Sequence, residues 1–187
     1  MKTLTESDYI LASQALGVEV AVVKAVAEVE SRGSGFLESG RPKILFEGHK
    51  FSKFTQRKYD SAEPTISYRK WTREHYLGGE REYERFFIAS ALDHKQALRS
   101  TSWGKFQIMG FNFGLCGYSN VESFVHDMEL SEGLQLLAFV KFIENSNLAK
   151  YLKKKQWAKF ARGYNGKGYK KNNYDVKLKN AYEKYKR

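Results

Sequence analysis

One carboxylate in this sequence stands where an apolar side chain is expected. Residues 18–31, VEVAVVKAVAEVES, read as a helix. Advancing ~100° per residue from Val22 puts Val26 near ~40°, Glu30 near ~80° and Val23 near ~100°. Glu30 therefore lies inside the valine stripe, aimed at the interior or at a cleft. Lys24 and Glu28 fall near ~200° and ~240°, in the polar sector, and read as a solvated pair. Apolar neighbours disfavour an ionised carboxyl, and the negative end of the helix dipole does so too. A carboxyl kept protonated near neutrality is what a general acid requires. A helix-end glutamate that snorkels, or that accepts backbone hydrogen bonds from the 31–35 loop, fits the same position. His49, His75, His94 and His126 lack ligand spacing such as His-x-x-x-His, so no metal or other cofactor is expected. Cys116 is the single cysteine, which excludes an internal disulfide and a cysteine-rich zinc site.

The elements that must position Glu30 are mostly helical. Thr5 with Asp8 three residues on is a variant capping box, opening a helix that Gly17 closes. The valine helix ends at Gly33 and depends on burial more than on propensity. Residues 34–42 read as loop, Pro42–Phe46 as a short strand and 55–70 as a surface excursion. Helix returns over 80–98 and breaks at Ser100–Ser102. Gly104, Gly110, Gly114 and Gly117 among Trp, Phe and Met make 103–118 a compact apolar loop or short-helix region. Ser119 with Glu122 signals a helix to about 130. Ser131 opens the next, apolar on most sides and so central. Basic helices follow around 148–162 and 174–186.

The 187 residues fit one domain spanning 1–187, and 42% apolar residues support a packed core. The net charge of +11 is unevenly placed. Residues 1–149 hold 18 basic and 19 acidic side chains, whereas 150–187 hold 14 basic ones against Asp175 and Glu183. Such a segment seeks a polyanion. The N-terminus, MKTLTESDYILASQALG, has too short an apolar run for a secretory signal. Nowhere do about eighteen apolar residues run together, so no membrane span is expected.

Three motifs in order give these features a context. They are Glu30-Ser31-Arg32-Gly33, Ser102–Gly110 with Gly104-Lys105-Phe106-Gln107 inside it, and Ala161-Arg162-Gly163-Tyr164-Asn165-Gly166. The set resembles goose-type lysozymes and soluble lytic transglycosylases, which carry a Glu-Ser helix end, a Gly-x-x-Gln loop and an Ala-Tyr-Asn segment. The chain is more similar still to the N-acetylmuramidase domain of phage and prophage endolysins, over residues 28–36, 40–49, 101–110 and 157–166. The resemblance implies a mainly α, lysozyme-like fold with two lobes around a glycan-binding cleft. It implies Glu30 as proton donor and Glu47, within Leu45-Phe46-Glu47, as second carboxylate; a strand-end salt bridge is the other reading of Glu47. Glu38, in a loop, is a weaker candidate. Gln107 would meet an acetamido group. Tyr164 and Asn165 would hydrogen-bond sugar hydroxyls or Glu30 itself. Trp103 and Phe106 would stack on pyranose faces or fill the core.

The activity so implied is a muramidase cutting peptidoglycan glycan strands between N-acetylmuramic acid and N-acetylglucosamine. A lytic transglycosylase uses the same Glu30 without a second carboxylate. A module binding nucleic acid or cell wall without catalysis is the reading from another class. It leaves Glu30 without purpose, so nucleic acid is not an expected partner. The expected protein is a monomer made in the bacterial cytoplasm without a signal peptide, reaching the periplasmic wall after release by another factor. Leu148–Phe160 and Tyr174–Tyr185 should pack apolar faces on the body. Lys153, Lys154, Lys155, Lys170 and Lys171 would then face the wall or anionic outer-membrane lipid, or serve only as a solvated basic face.

Overall fold

Thr5 opens α1 (Glu6–Leu16) with a reciprocal cap. Its hydroxyl accepts from Asp8 N–H, and the Asp8 carboxylate accepts from Thr5 N–H at 2.8 Å. Gly17, with φ of 62°, supplies the left-handed residue that ends the helix. The structure, a computed structural model, describes residues 2–31 and 33–186, without the side chains of Lys167 and Lys171. Arg32 of the Glu-Ser motif and the Lys171 side chain thus lie outside the described residues.

The valine helix is α2 (Val20–Glu30), with Val22, Val23 and Val26 buried as their angular positions require. It stops at Ser31, two residues before Gly33, where the chain turns extended. Ser31 satisfies the helix end itself, since its N–H and its hydroxyl both donate to the Ala27 carbonyl. Glu28 is exposed as expected, but its partners are Lys184 Nζ at 2.8 Å and the Tyr185 hydroxyl, whereas Lys24 pairs with Glu6.

Three short strands form an antiparallel sheet: β1 (Ile44–Phe46), β2 (Thr101–Trp103) and β3 (Ile108–Met109). Ile44 pairs with Trp103 and Trp103 with Ile108, so β2 is central. The 103–118 region is therefore partly strand, a register that pairing across 57 residues creates and local sequence does not. The β2–β3 turn rests on Gly104, whose φ is +68°, and a Cβ there would lie 2.6 Å from the Gln135 side chain.

Around the sheet lie α3 (Gly48–Phe54), α4 (Glu82–Leu92) and α5 (His94–Arg99). The single helix expected over 80–98 is two. Asp93 leaves helical geometry, with φ of −158°, and its carboxylate caps α5 at Gln96 N–H. The excursion over 55–70 is anchored inward by Ile66 and Ser67, both buried. α6 (Val121–Leu130) is capped by Asn120 through Ser123 N–H at 2.7 Å, one residue beyond the expected Ser119. Ser131 caps α7 (Glu132–Asn145), whose Leu136, Phe139, Val140 and Ile143 are buried.

The basic segment folds as α8 (Ala149–Lys153), α9 (Trp157–Asn165), a 3-10 turn over Gly166–Asn172 and α10 (Tyr174–Tyr185). α10 packs along α2 through Leu178, Ala181 and Tyr182, and Trp157 meets the Tyr182 ring at 5.5 Å. One core runs through a helical lobe of α1, α2 and α7–α10 and a sheet lobe of β1–β3 with α3–α5. Among the described residues, no single helix is long and apolar enough to cross a membrane.

Candidate active site

Glu30 ends α2 at the boundary of the two lobes, on the wall of a cleft of about 670 Å³. Its carboxyl is half-buried, and burial raises its pKa to about 7. The opposing influence is one hydrogen bond: Asn165 Nδ2 donates to Glu30 Oε1 at 2.9 Å, which favours the ionised form. Desolvation dominates because one neutral donor replaces only part of the lost water. Tyr164, beside Asn165, donates to the Phe106 carbonyl at 3.3 Å. Its ring stacks on Phe160 and meets Phe139 and Phe142 edge-on. Burial, with Glu30 adding charge nearby, pushes its phenol well up, so it stays a neutral donor.

Glu47 lies on the same cleft, at the junction of β1 and α3. That junction is fixed from three sides. Glu47 N–H donates to the Ser100 carbonyl at 2.9 Å. Arg85, buried and paired with the buried Glu82 at 2.9 Å, donates to the Phe46 carbonyl at 3.0 Å. A Cβ on Gly48 would lie 2.5 Å from the Ile66 carbonyl, so only glycine lets the 55–70 segment close over this corner. Tyr76 donates its hydroxyl to Glu47 Oε2 at 2.8 Å, and His49 Nδ1 lies 3.1 Å from the same oxygen. Burial lowers the pKa of His49 despite the neighbouring carboxylate.

The loop between β2 and β3 forms the floor. Gln107 is exposed in left-handed geometry, φ 49°. Its amide nitrogen donates to the Lys43 and Gly104 carbonyls at 3.1 and 2.9 Å, and its oxygen accepts from Ser102 Oγ at 2.9 Å. Gln107 thus ties β1, β2 and their turn together while lining the cleft. Below it lies a buried hub at the start of α7. Glu132 accepts from Gly35 N–H at 2.6 Å and Leu4 N–H at 3.1 Å, and pairs with Lys105 Nζ at 3.3 Å. Lys105 Nζ donates to the Gly33 carbonyl, and Lys105 N–H donates to Gln135 Oε1 at 2.6 Å. The hub binds the loop leaving Glu30 to the loop carrying Gln107.

The structure brings Glu30, Glu47, Gln107, Tyr164 and Asn165 to one cleft. Trp103 is a correction. It is 2% exposed, donates its indole N–H to the Leu98 carbonyl at 3.1 Å and meets Phe86 edge-on, because β2 is the central strand and Trp103 turns into the core. Phe106 is also core, stacked on Phe139 at 4.3 Å. Glu38 does not line the cleft. Tyr76, Glu132 and Arg85 were not singled out by the sequence, since each acts on a segment far along the chain. Among the described residues, no three His, Cys, Asp or Glu side chains gather as metal ligands.

A half-buried acid, with a second carboxylate and amide groups lining the same cleft, is a set that can protonate a leaving oxygen and stabilise developing positive charge. Residues 19–186 match the family described as N-acetylmuramidase. Among solved structures, the chain matches the crystal structure of a Burkholderia AP3 phage endolysin with a TM-score of 0.93 and 43% sequence identity. That match covers 99% of this chain and 72% of the other. Comparison with curated proteins gave no match.

Proposed function

The chain belongs to the N-acetylmuramidase family, and from that premise we propose that it hydrolyses peptidoglycan between N-acetylmuramic acid and N-acetylglucosamine, as an endolysin of the kind its Burkholderia phage relative is named for. The observation that carries this reading is Glu30, a cleft carboxyl raised to about 7 and oriented by Asn165. Near neutral pH much of it is in the acid form, and it gives its proton to the glycosidic oxygen as the bond breaks. Glu47 faces the opposite side of the sugar, where it activates water or stabilises the oxocarbenium-like cation. Tyr76 donates to Oε2 of Glu47 and holds the carboxylate in place, with His49 packed beside the same oxygen; the other oxygen is assigned to the water. Gln107, anchored by three hydrogen bonds that use both of its amide N–H donors, keeps one lone pair of its side-chain oxygen to accept from the acetamido N–H.

The test uses purified peptidoglycan. Glu30→Gln should abolish release of new reducing ends while the variant still sediments with walls. Glu47→Gln should lose most hydrolysis, because no second carboxylate remains. Mass spectrometry of the products separates the chemistries. Hydrolysis leaves reducing muramic acid ends; near-normal release of anhydro ends by the Glu47 variant would instead establish a transglycosylase that needs only Glu30.

A further inference from the structure

Beside the Glu47 corner lies a second concavity, of about 560 Å³, whose wall carries four cations, Lys50, Lys53, Arg57 and Arg69. His49, Lys50, Lys53, Arg57 and Arg69 line it, with Ser52 and Gln56, and no carboxylate does. The two spaces are neighbours across one contact: Glu47 lines the cleft, His49 lines the basic pocket, and their side chains lie 3.1 Å apart. Arg69 is steadied by Asp60, 3.6 Å away, which in turn accepts from Ser67 at 2.6 Å. Lys50, Lys53 and Arg57 have no acidic partner among the described residues. Gln56 and Arg57 both hold left-handed geometry, φ 54° and 68°, directly after α3, with Arg57 N–H donating to the Ser52 carbonyl at 2.7 Å. Two such residues in succession are costly for side chains other than glycine. They close the chain back over α3, so that cations from three turns of chain border one hollow. Lys50, Lys53 and Arg57, gathered without counterions, repel one another, and a polyanionic ligand relieves that.

We propose that this pocket binds the carboxylates of the peptide stem carried by the muramic acid residue in the cleft. The proposal rests on the peptidoglycan reading above. It commits to the stem for geometric reasons. The muramyl lactyl group leaves the sugar beside the cleft, and the stem that follows carries free carboxylates on its D-glutamate, diaminopimelate and terminal alanine. An extended stem of four residues spans roughly 13 Å. The α3 helix, which separates the Glu47 corner from Arg57, is about 10 Å long. Lys53 and Arg57 therefore stand within reach of a stem whose sugar occupies the catalytic cleft, and they select wall bearing intact stems over stripped glycan.

The experiment compares soluble uncrosslinked strands with the same strands stripped of stems by an amidase. Wild type should show the lower KM on stem-bearing strands. The double variant Lys53→Gln, Arg57→Gln removes two exposed charge pairs and should raise that KM about tenfold. Its kcat, and its KM on stripped strands, should stay unchanged. Equal losses on both substrates, or none on either, would overturn the proposal. So would a variant that loses only its binding to phosphatidylglycerol vesicles, which would make the pocket a lipid headgroup site. A titration of wild type with the free tetrapeptide, followed by NMR, reads the pocket without turnover. Shifts at Lys53 and Arg57 in a protein that cleaves neither strand would uphold the pocket and refute the catalytic reading; their absence would refute the pocket.

Discussion

At the Glu30 carboxyl the acid and ionised forms balance near pH 7, because burial outweighs the Asn165 hydrogen bond. On the proposed reading the acid form is the proton donor, and the sign of the pH dependence follows: turnover should fall as pH rises through about 7. Asn165 stabilises the ionised form, so removing it raises the carboxyl further. Asn165→Ala should therefore move the alkaline limb of kcat/KM to higher pH while lowering its maximum, since the acid also loses its orientation. A pH–rate series on a soluble oligosaccharide checks both; a limb that moves downward would contradict the role of Asn165. Much of this was legible in advance, because a lone carboxylate inside a valine stripe is a local anomaly that helical geometry exposes. Trp103 was not, since an indole beside a glycine turn has the same local sequence whether it faces sugar or core.

The elements around the site are held by buried polar contacts that the sequence does not signal. Glu132 is 3% exposed and accepts from Gly35, 97 residues away, so no local pattern announces it. Glu132→Ala would strand Lys105 and the amides of Gly35 and Leu4. Breaking a buried pair by removing one partner costs about 3–5 kcal/mol. Urea denaturation should show a loss of that order, and Glu132→Gln, which keeps an acceptor, should lose less. A variant with an unchanged midpoint would mean that the hub is dispensable. Thr5, Asp8 and Ser131 act within one helical turn and were readable; Asn120 displaced the expected Ser119 by one residue. β1 was readable within Pro42–Phe46, whereas β2 and β3, three and two residues long, are too short to show alternation, and Asp93 divides a helix that its apolar pattern carries through.

Across the whole molecule, the basic segment is structural as well as electrostatic. Its apolar faces pack on the body, with Phe160, Ala161 and Leu178 fully buried. Not every lysine is available for a partner: Lys155 pairs with Glu19 at 2.5 Å and Lys184 with Glu28. Lys153, Lys154 and Lys170 are exposed. Replacing these three with Gln should weaken sedimentation with intact walls and flatten its salt dependence, since exposed charges are screened over about 8 Å at physiological ionic strength. Cleavage of short oligosaccharides should be unchanged; an equal loss on both substrates would place these lysines in the catalytic machinery. The hydrogen bond between Asn165 and Glu30 joins positions 135 residues apart. During synthesis, a nascent chain that has reached α8 already carries Glu30, Glu47 and the β2–β3 loop, yet neither Asn165 nor the helix that covers α2. The cleft is thus completed late, and a ribosome paused before α9 holds a chain with Glu30 and Glu47 in place but without the Asn165 amide that fixes the first of them.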